Sequence, residues 1–211
     1  MYPAFVKLAG RSCVVVGGGD LGFQKTVELL RCGARVHVVA PAWPADFSPL
    51  DRNPGLTRET RPFAPADLAR AFLAVAATDD PEVQASVWNE AERLGILCNV
   101  VDVPDRCNFY VPASLRRGPL TVSVSTAGKS PLFAVALRDR LRGMLDERVG
   151  AGLDLLGEAR KLVREKYPES QERRSAALRR LVTPEAVDEL IEGRLDAFEA
   201  RWTAWTSSLS D

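Results

Sequence analysis

Apolar positions in the first hundred residues come in short unbroken runs, each followed by a stretch with helical spacing. Ser12–Val16 reads as a strand whose β-branched run Val14-Val15-Val16 is continuous, as a strand buried on both faces has to be. Residues 21–32 repeat at the helical period, with Gly33 placed to end the helix, and residues 35–39 predict a second strand that stops at Pro41. Residues 56–61 read as a short strand and 65–71 as a short helix. Residues 72–77 form an apolar run ending at Thr78-Asp79-Asp80. Pro81 sits just inside the start of a further helix, where proline is tolerated, and that helix runs to about Leu94. Residues 96–101 close the series at Asp102. Repeated βα units of this size predict an α/β fold with a Rossmann-like parallel sheet and helices on both faces. Ligands of such sheets bind at the carboxyl ends of the strands. Gly17, Gly18, Gly19, Pro41, Thr78 and Asp102 all fall on that edge.

After residue 112 the pattern changes. Leu120, Val122 and Val124 alternate with Thr121, Ser123 and Ser125, which predicts a half-buried strand. Ala127-Gly128-Lys129 reads as a turn, and Ser130 with Pro131 as an N-cap and first helical residue. From there the chain reads as a helical C-terminal domain. Val149, Leu153, Leu156, Val163 and Tyr167 recur near the 3.6 period until Pro168. Thr183-Pro184 opens another helix, with Val187, Leu190, Ile191, Leu195 and Phe198 on one stripe. Residues 169–173 are the one candidate flexible loop, and no internal repeat is present.

Composition narrows the function class. The 28 basic and 28 acidic residues cancel, so no overall field favours nucleic acid or an anionic membrane, and neither is expected as a partner. No apolar run approaches the roughly 20 residues of a membrane span. The start of the chain lacks the basic and apolar regions of a secretory leader. Cys13, Cys32, Cys98 and Cys107 lack metal-like pairing and are expected as free thiols, which fits a cytoplasmic protein. His37 is the single histidine, so a site built on several histidines is excluded, and no bound metal is expected.

The candidate chemistry starts at Gly17-Gly18-Gly19-Asp20-Leu21-Gly22. Gly17, Gly19 and Gly22 fit G-x-G-x-x-G between a strand and a helix, the arrangement that binds a dinucleotide pyrophosphate. The first glycine allows the tight turn, the second lets backbone approach the phosphates, and the third lets helix and strand pack. The helix N-terminus offers unpaired N–H groups to the anion. The acidic ribose ligand usual after the second strand is missing, because Val39-Ala40-Pro41-Ala42-Trp43 holds neither carboxylate nor arginine. Taken alone, this weakens NAD slightly and NADP more. Asp102 fits a general base at a strand end, though by spacing alone a helix-cap or turn aspartate fits it better. Asp79 and Asp80 fit helix caps better than catalysis, and Ser130 an N-cap better than a nucleophile. Arg116, Arg117, Lys129, Arg138, Arg140, Arg142 and Arg148 form a basic stretch, either a solvated face or a surface for a polycarboxylate.

With these segments in view, the chain resembles the precorrin-2 dehydrogenase family, which includes stand-alone enzymes and the N-terminal module of bifunctional siroheme synthases. The resemblance rests on Val16-Gly17-Gly18-Gly19-Asp20 with Lys25, Ala76-Ala77-Thr78-Asp79-Asp80, Cys98-Asn99-Val100-Val101-Asp102, Cys107-Asn108-Phe109 with Pro112-Ala113, and Gly128-Lys129-Ser130-Pro131. That family also lacks the acidic ribose ligand. The resemblance implies an NAD-binding Rossmann domain at 1–112, a dimerisation segment at 113–147, a helical domain at 148–211, and a homodimer. It implies oxidation of precorrin-2 to sirohydrochlorin with NAD as cofactor; bifunctional members then insert Fe2+ as a substrate to give siroheme. Asp102 corresponds to the family's key aspartate. Its NAD contacts map to Gly17, Gly18, Gly19, Asp20 and Leu21 and to Pro41 and Ala42; Thr78 joins them by its position. Two departures stand out. Gly22 and Phe23 replace a commoner alanine and a variable residue, and Thr126 stands where some members have serine. The residues also fit a dehydrogenase without chelatase activity, an NAD(H)-sensing regulatory domain without catalysis, and a tetrapyrrole carrier with a purely structural glycine turn.

Overall fold

A computed structural model describes residues 1–210. The chain divides into two compact units, Met1–Val111 and a second beginning at Pro112. In the first unit, β1 (Ser12–Val16), β2 (Arg35–Ala40), β3 (Leu56–Thr60), β4 (Leu73–Ala76) and β5 (Leu97–Val100) form a parallel sheet in the order β3-β2-β1-β4-β5. The unbroken apolar runs have a direct cause. Cys13 and Val15 of β1 join Val36, Val38, Phe47 and Val75 in one core, whereas Val14 and Val16 join Ala74, Ala76, Val87, Cys98 and Val100 in another. With both faces covered, no polar position is left in β1 after Ser12.

Helix α1 (Asp20–Arg31) packs against β1 and β2, and α2 (Pro81–Leu94) against β4 and β5. Asp80 caps α2 by accepting from Glu82 N and Val83 N, and Gly95 ends it in the left-handed conformation. Strand and helix limits agree with the sequence expectations to within one or two residues. The exception is 65–71, where only Pro65–Leu68 winds, as a single 3-10 turn.

In the second unit, β6 (Ala113–Arg117) pairs antiparallel with β7 (Leu120–Val124). Five helices follow: α3 (Pro131–Met144), α4 (Val149–Lys166), α5 (Gln171–Leu181), α6 (Pro184–Ile191) and α7 (Leu195–Ser210). Ser130 caps α3 by accepting from Phe133 N, as its position predicts. The last four helices enclose Ala159, Val163, Leu181, Phe198 and Trp205, all buried, and Trp205 Nε1 donates to Ala177 O at 2.9 Å.

Three expectations for this unit are corrected. Strand β6 was not anticipated. Helix α5 begins at Gln171, inside the stretch expected to be a flexible loop. The single helix expected from Thr183 through Phe198 is two helices, because Gly193 adopts φ +72° between α6 and α7. A side chain at Gly193 would also stand 2.3 Å from the Asp146 carboxyl carbon, so this break is fixed by space as well as by conformation. Among the described residues no helix is long and apolar enough to cross a membrane.

Candidate functional site

The turn after β1 is built by close backbone approach. Gly17 has φ +129°, donates to Val39 O at 3.0 Å, and leaves only 2.1 Å between an added Cβ and Ala77 O of the loop after β4. At Gly18 an added Cβ would stand 2.3 Å from Ala42 O and 3.2 Å from the Trp43 ring. Gly22 packs its Cα face on the turn, 2.1 Å from Gly17 O for a Cβ, and its carbonyl accepts from the buried Thr26 hydroxyl at 2.7 Å. Alanine at 22 would therefore displace the Gly17 carbonyl, which makes the glycine at this departure more than a mild change.

Gly19 is different. It is the N-cap of α1, with extended backbone and no side-chain cap, and nothing lies within 4 Å of where its Cβ would be. The N–H groups of Asp20, Leu21 and Gly22 begin a helix whose end is open on that side. Such an end suits an anion that must approach backbone closely.

The neighbouring strand ends complete the edge. Pro41 and Ala42, both exposed, follow β2, and Ala45 N donates to Gly18 O at 3.2 Å, which ties this loop to the glycine turn. Thr78 follows β4 and is half-buried; its Oγ1 accepts from Asp80 N at 3.3 Å and its carbonyl from Gln84 Nε2 at 2.7 Å. Asp102 follows β5, is exposed, and has φ +61°, one of two non-glycine residues with positive φ among the described residues. Its carboxylate makes no hydrogen bond or ion pair among the described residues. The strand order places these loops in the sequence β2, β1, β4, β5 along one edge. At about 4.8 Å per strand, Asp102 stands roughly 10 Å from the glycine turn.

The structure also brings in an arginine that sequence proximity hid. Arg58 of β3 lies 5.4 Å from the Trp43 ring centroid and 5.8 Å from that of Phe47. Its charge is committed to Asp51. The first carboxylate after β2, Asp46, accepts from Ser48 N at 2.9 Å, and that bond holds its pKa below the usual carboxylate value. An open pocket of about 540 Å3 lined by Trp43, Asp51, Leu56, Arg58 and Thr60 lies on this flank and includes neither the glycine turn nor Asp102.

Other candidates have structural explanations. Cys13 and Cys98 are buried, and burial pushes their thiols up to about 11 and about 12, so neither offers a thiolate at neutral pH. His37 Nε2 lies 3.2 Å from Glu59 Oε1, out of line for a hydrogen bond. Of the basic stretch, Arg117 reaches Leu145 O and Glu147, Arg138 and Arg142 pair with Asp139, and Arg148 pairs with Asp146. Lys129 and Arg140 make no ion pair among the described residues. No group of three or more His, Cys, Asp or Glu among the described residues could hold a metal.

Comparison with known proteins adds a second line of observation. A family described as putative NAD(P)-binding matches residues 4–113, and one described as sirohaem biosynthesis protein central matches residues 117–144. The siroheme synthase of Nitrosomonas europaea is 39% identical over 173 residues, 82% of this chain and 36% of that protein. That of Methylococcus capsulatus is 38% identical over 197 residues, 93% of this chain and 41% of that protein. The chain therefore spans well under half the length of these curated relatives. The solved structure of SirC, precorrin-2 dehydrogenase, superposes with a TM-score of 0.77 at 26% identity, covering 100% of this chain and 99% of that one.

Proposed function

Because the chain belongs to the precorrin-2 dehydrogenase and siroheme synthase family, we propose that it oxidises precorrin-2 to sirohydrochlorin with NAD+. The observation that carries the reading is the open face of Gly19 at an uncapped helix end, on the same sheet edge as the uncommitted carboxylate of Asp102. Gly17, Gly18, Gly19, Asp20 and Leu21 would hold the pyrophosphate, Pro41 and Ala42 would flank the adenosine ribose, and Thr78 would contact the cofactor from the loop after β4. When bound, NAD+ supplies the acceptor for one hydride. Asp102 takes the accompanying proton, so two hydrogens leave the substrate as a hydride and a proton. The edge holds both groups in place, and that positioning supplies much of the acceleration.

The reading extends to Fe2+ insertion, with iron as a substrate. No protein cluster is needed to hold it, because the macrocycle is itself the ligand and Asp102 can accept displaced pyrrole protons. An iron-insertion assay on pre-formed sirohydrochlorin separates a bifunctional enzyme from a dehydrogenase alone. We place the protein in the cytoplasm as a homodimer assembled through residues 113–147. Leu132, Phe133 and Met144 of α3 support the dimer: they are 84%, 59% and 58% exposed, although they are apolar.

The direct test is anaerobic incubation with NAD+ and enzymatically made precorrin-2, following NADH and the tetrapyrrole spectrum. Asp102→Asn keeps the shape and tolerates positive φ. Its kcat is expected to fall by about 10²- to 10⁴-fold with NAD+ affinity unchanged. Tight NAD+ binding without turnover in the wild type would replace this reading with a sensor. Sirohydrochlorin binding without NAD+ binding would replace it with a carrier.

A further inference from the structure

The turn that presents Asp102 has an unusual construction. Asp102 stands in the left-handed region at φ +61°, a conformation that strains a residue with a side chain. Its own carboxylate holds nothing, so the conformation has to be imposed from the backbone. Val103 N donates to Val100 O at 3.2 Å and closes the turn, Val101 N donates to Ala76 O at 3.0 Å, and Arg106 N donates to Val103 O at 2.9 Å. The side-chain constraint added to these comes from Cys107, whose Sγ lies 3.2 Å from Val100 O and 3.3 Å from Val103 O, the carbonyls on either side of the Val101-Asp102 pair. Asn99 Nδ2 donates to the same sulfur at 3.4 Å and to Phe109 O at 3.1 Å.

Behind this contact the returning chain is fastened to the sheet. Asn99 and Cys107 form an isolated antiparallel bridge. Asn108 N donates to Cys98 O at 3.1 Å, its Oδ1 accepts from Cys98 N at 2.7 Å, and its Nδ2 donates to Ile96 O at 2.9 Å and Glu92 Oε1 at 3.1 Å.

We infer that Cys107 is a positioning residue for Asp102, its thiol stapling the two carbonyls that flank the aspartate so that the carboxylate stays aimed off the sheet edge. This rests on the reading of Asp102 as the base. A thiol has a single proton, shared here between two carbonyl acceptors, while a sulfur lone pair receives Asn99. Burial raises the Cys107 thiol above its ordinary pKa, so the proton stays in place through the neutral range. Alanine removes donor and acceptor together. Serine keeps both on a shorter bond, and valine fills the space with neither.

The test uses the full-length protein. Cys107→Ala and Cys107→Val are expected to lower kcat about tenfold or more, as misplacement of a reacting group does, with NAD+ dissociation constants within about twofold of wild type. Cys107→Ser is expected to recover kcat to within about threefold. Amide exchange across residues 101–106 is expected to speed up about tenfold in the alanine and valine variants and to return toward wild type in serine.

Wild-type exchange in the alanine and valine variants would overturn the staple, whatever the kinetics. Equal losses of kcat and NAD+ affinity would overturn it too, since they would mark a general loss of structure. Full activity in Asp102→Asn would sink the base reading alone, because the exchange comparison stands without it.

Discussion

Gly17 and Gly19 stand two residues apart and lack side chains for opposite reasons. At Gly17 the obstacle is the protein itself: φ +129° and a carbonyl 2.1 Å from any Cβ. At Gly19 the backbone is extended and the space is empty. Gly17→Ala is therefore expected to destabilise the fold by about 3 kcal/mol or more, read from urea unfolding. Gly19→Ala is expected to cost no more than about 1 kcal/mol. Yet its methyl group fills the approach to the helix end, so calorimetry is expected to find NAD+ binding weakened at least tenfold. Native affinity in Gly19→Ala would mean that the phosphates do not approach there. The glycine spacing that suggests this site is legible in the sequence, since it marks where a chain turns sharply between strand and helix. The positive φ of Asp102 and the sulfur contact of Cys107 are not, because both depend on a short chain reversal after β5 that carries no periodic signal.

At the scale of elements, the parts that could be read were those with one dominant cause. Strand β4, and β1 from Cys13 onward, are apolar because both faces are covered. Strand β6, Ala-Ser-Leu-Arg-Arg, buries only Leu115 and resembles a charged loop. Helix α5 buries just Ala177 and Leu181 among four arginines, so its stripe is too thin to see. The split between α6 and α7 is likewise hidden, because apolar residues continue in helical register across Gly193.

What holds those two helices together is partly electrostatic. Arg201 of α7 makes a two-pronged bond to Glu189 of α6, at 3.0 Å and 2.8 Å. Hydrogen bonding from Arg201 holds the Glu189 carboxyl below its usual pKa. A depressed folded-state pKa means stability that is present above the unfolded value, near 4.3, and is lost as pH falls through the folded one. Glu189→Gln is thus expected to lower stability by about 1–2 kcal/mol at pH 7. In paired thermal melts the gap should close as the buffer is taken below about pH 4. A gap that persists in acid would assign the loss to packing instead.

At the scale of the molecule, the apolar residues left on α3 make an association state the natural prediction. Leu132 and Val135 lie three apart on one helix face, at 84% and 40% exposure. Light scattering is expected to give twice the chain mass for the wild type. Leu132→Asp paired with Phe133→Glu is expected to shift the population toward monomer, while NAD+ binding, which depends on the first unit, stays the same. A wild-type monomer at micromolar concentration would rule the dimer out. The four tryptophans are divided evenly between the two units, Trp43 and Trp88 in the first and Trp202 and Trp205 in the second. Trp43 alone touches the glycine turn, its ring 3.2 Å from the place a Gly18 side chain would take. Indole emits in the band where reduced nicotinamide absorbs. On the proposed reading the protein would carry an intrinsic optical gauge of its own oxidation cycle, with Trp43 as the energy donor that dims as NADH forms, and no label would have to be attached to follow single turnovers.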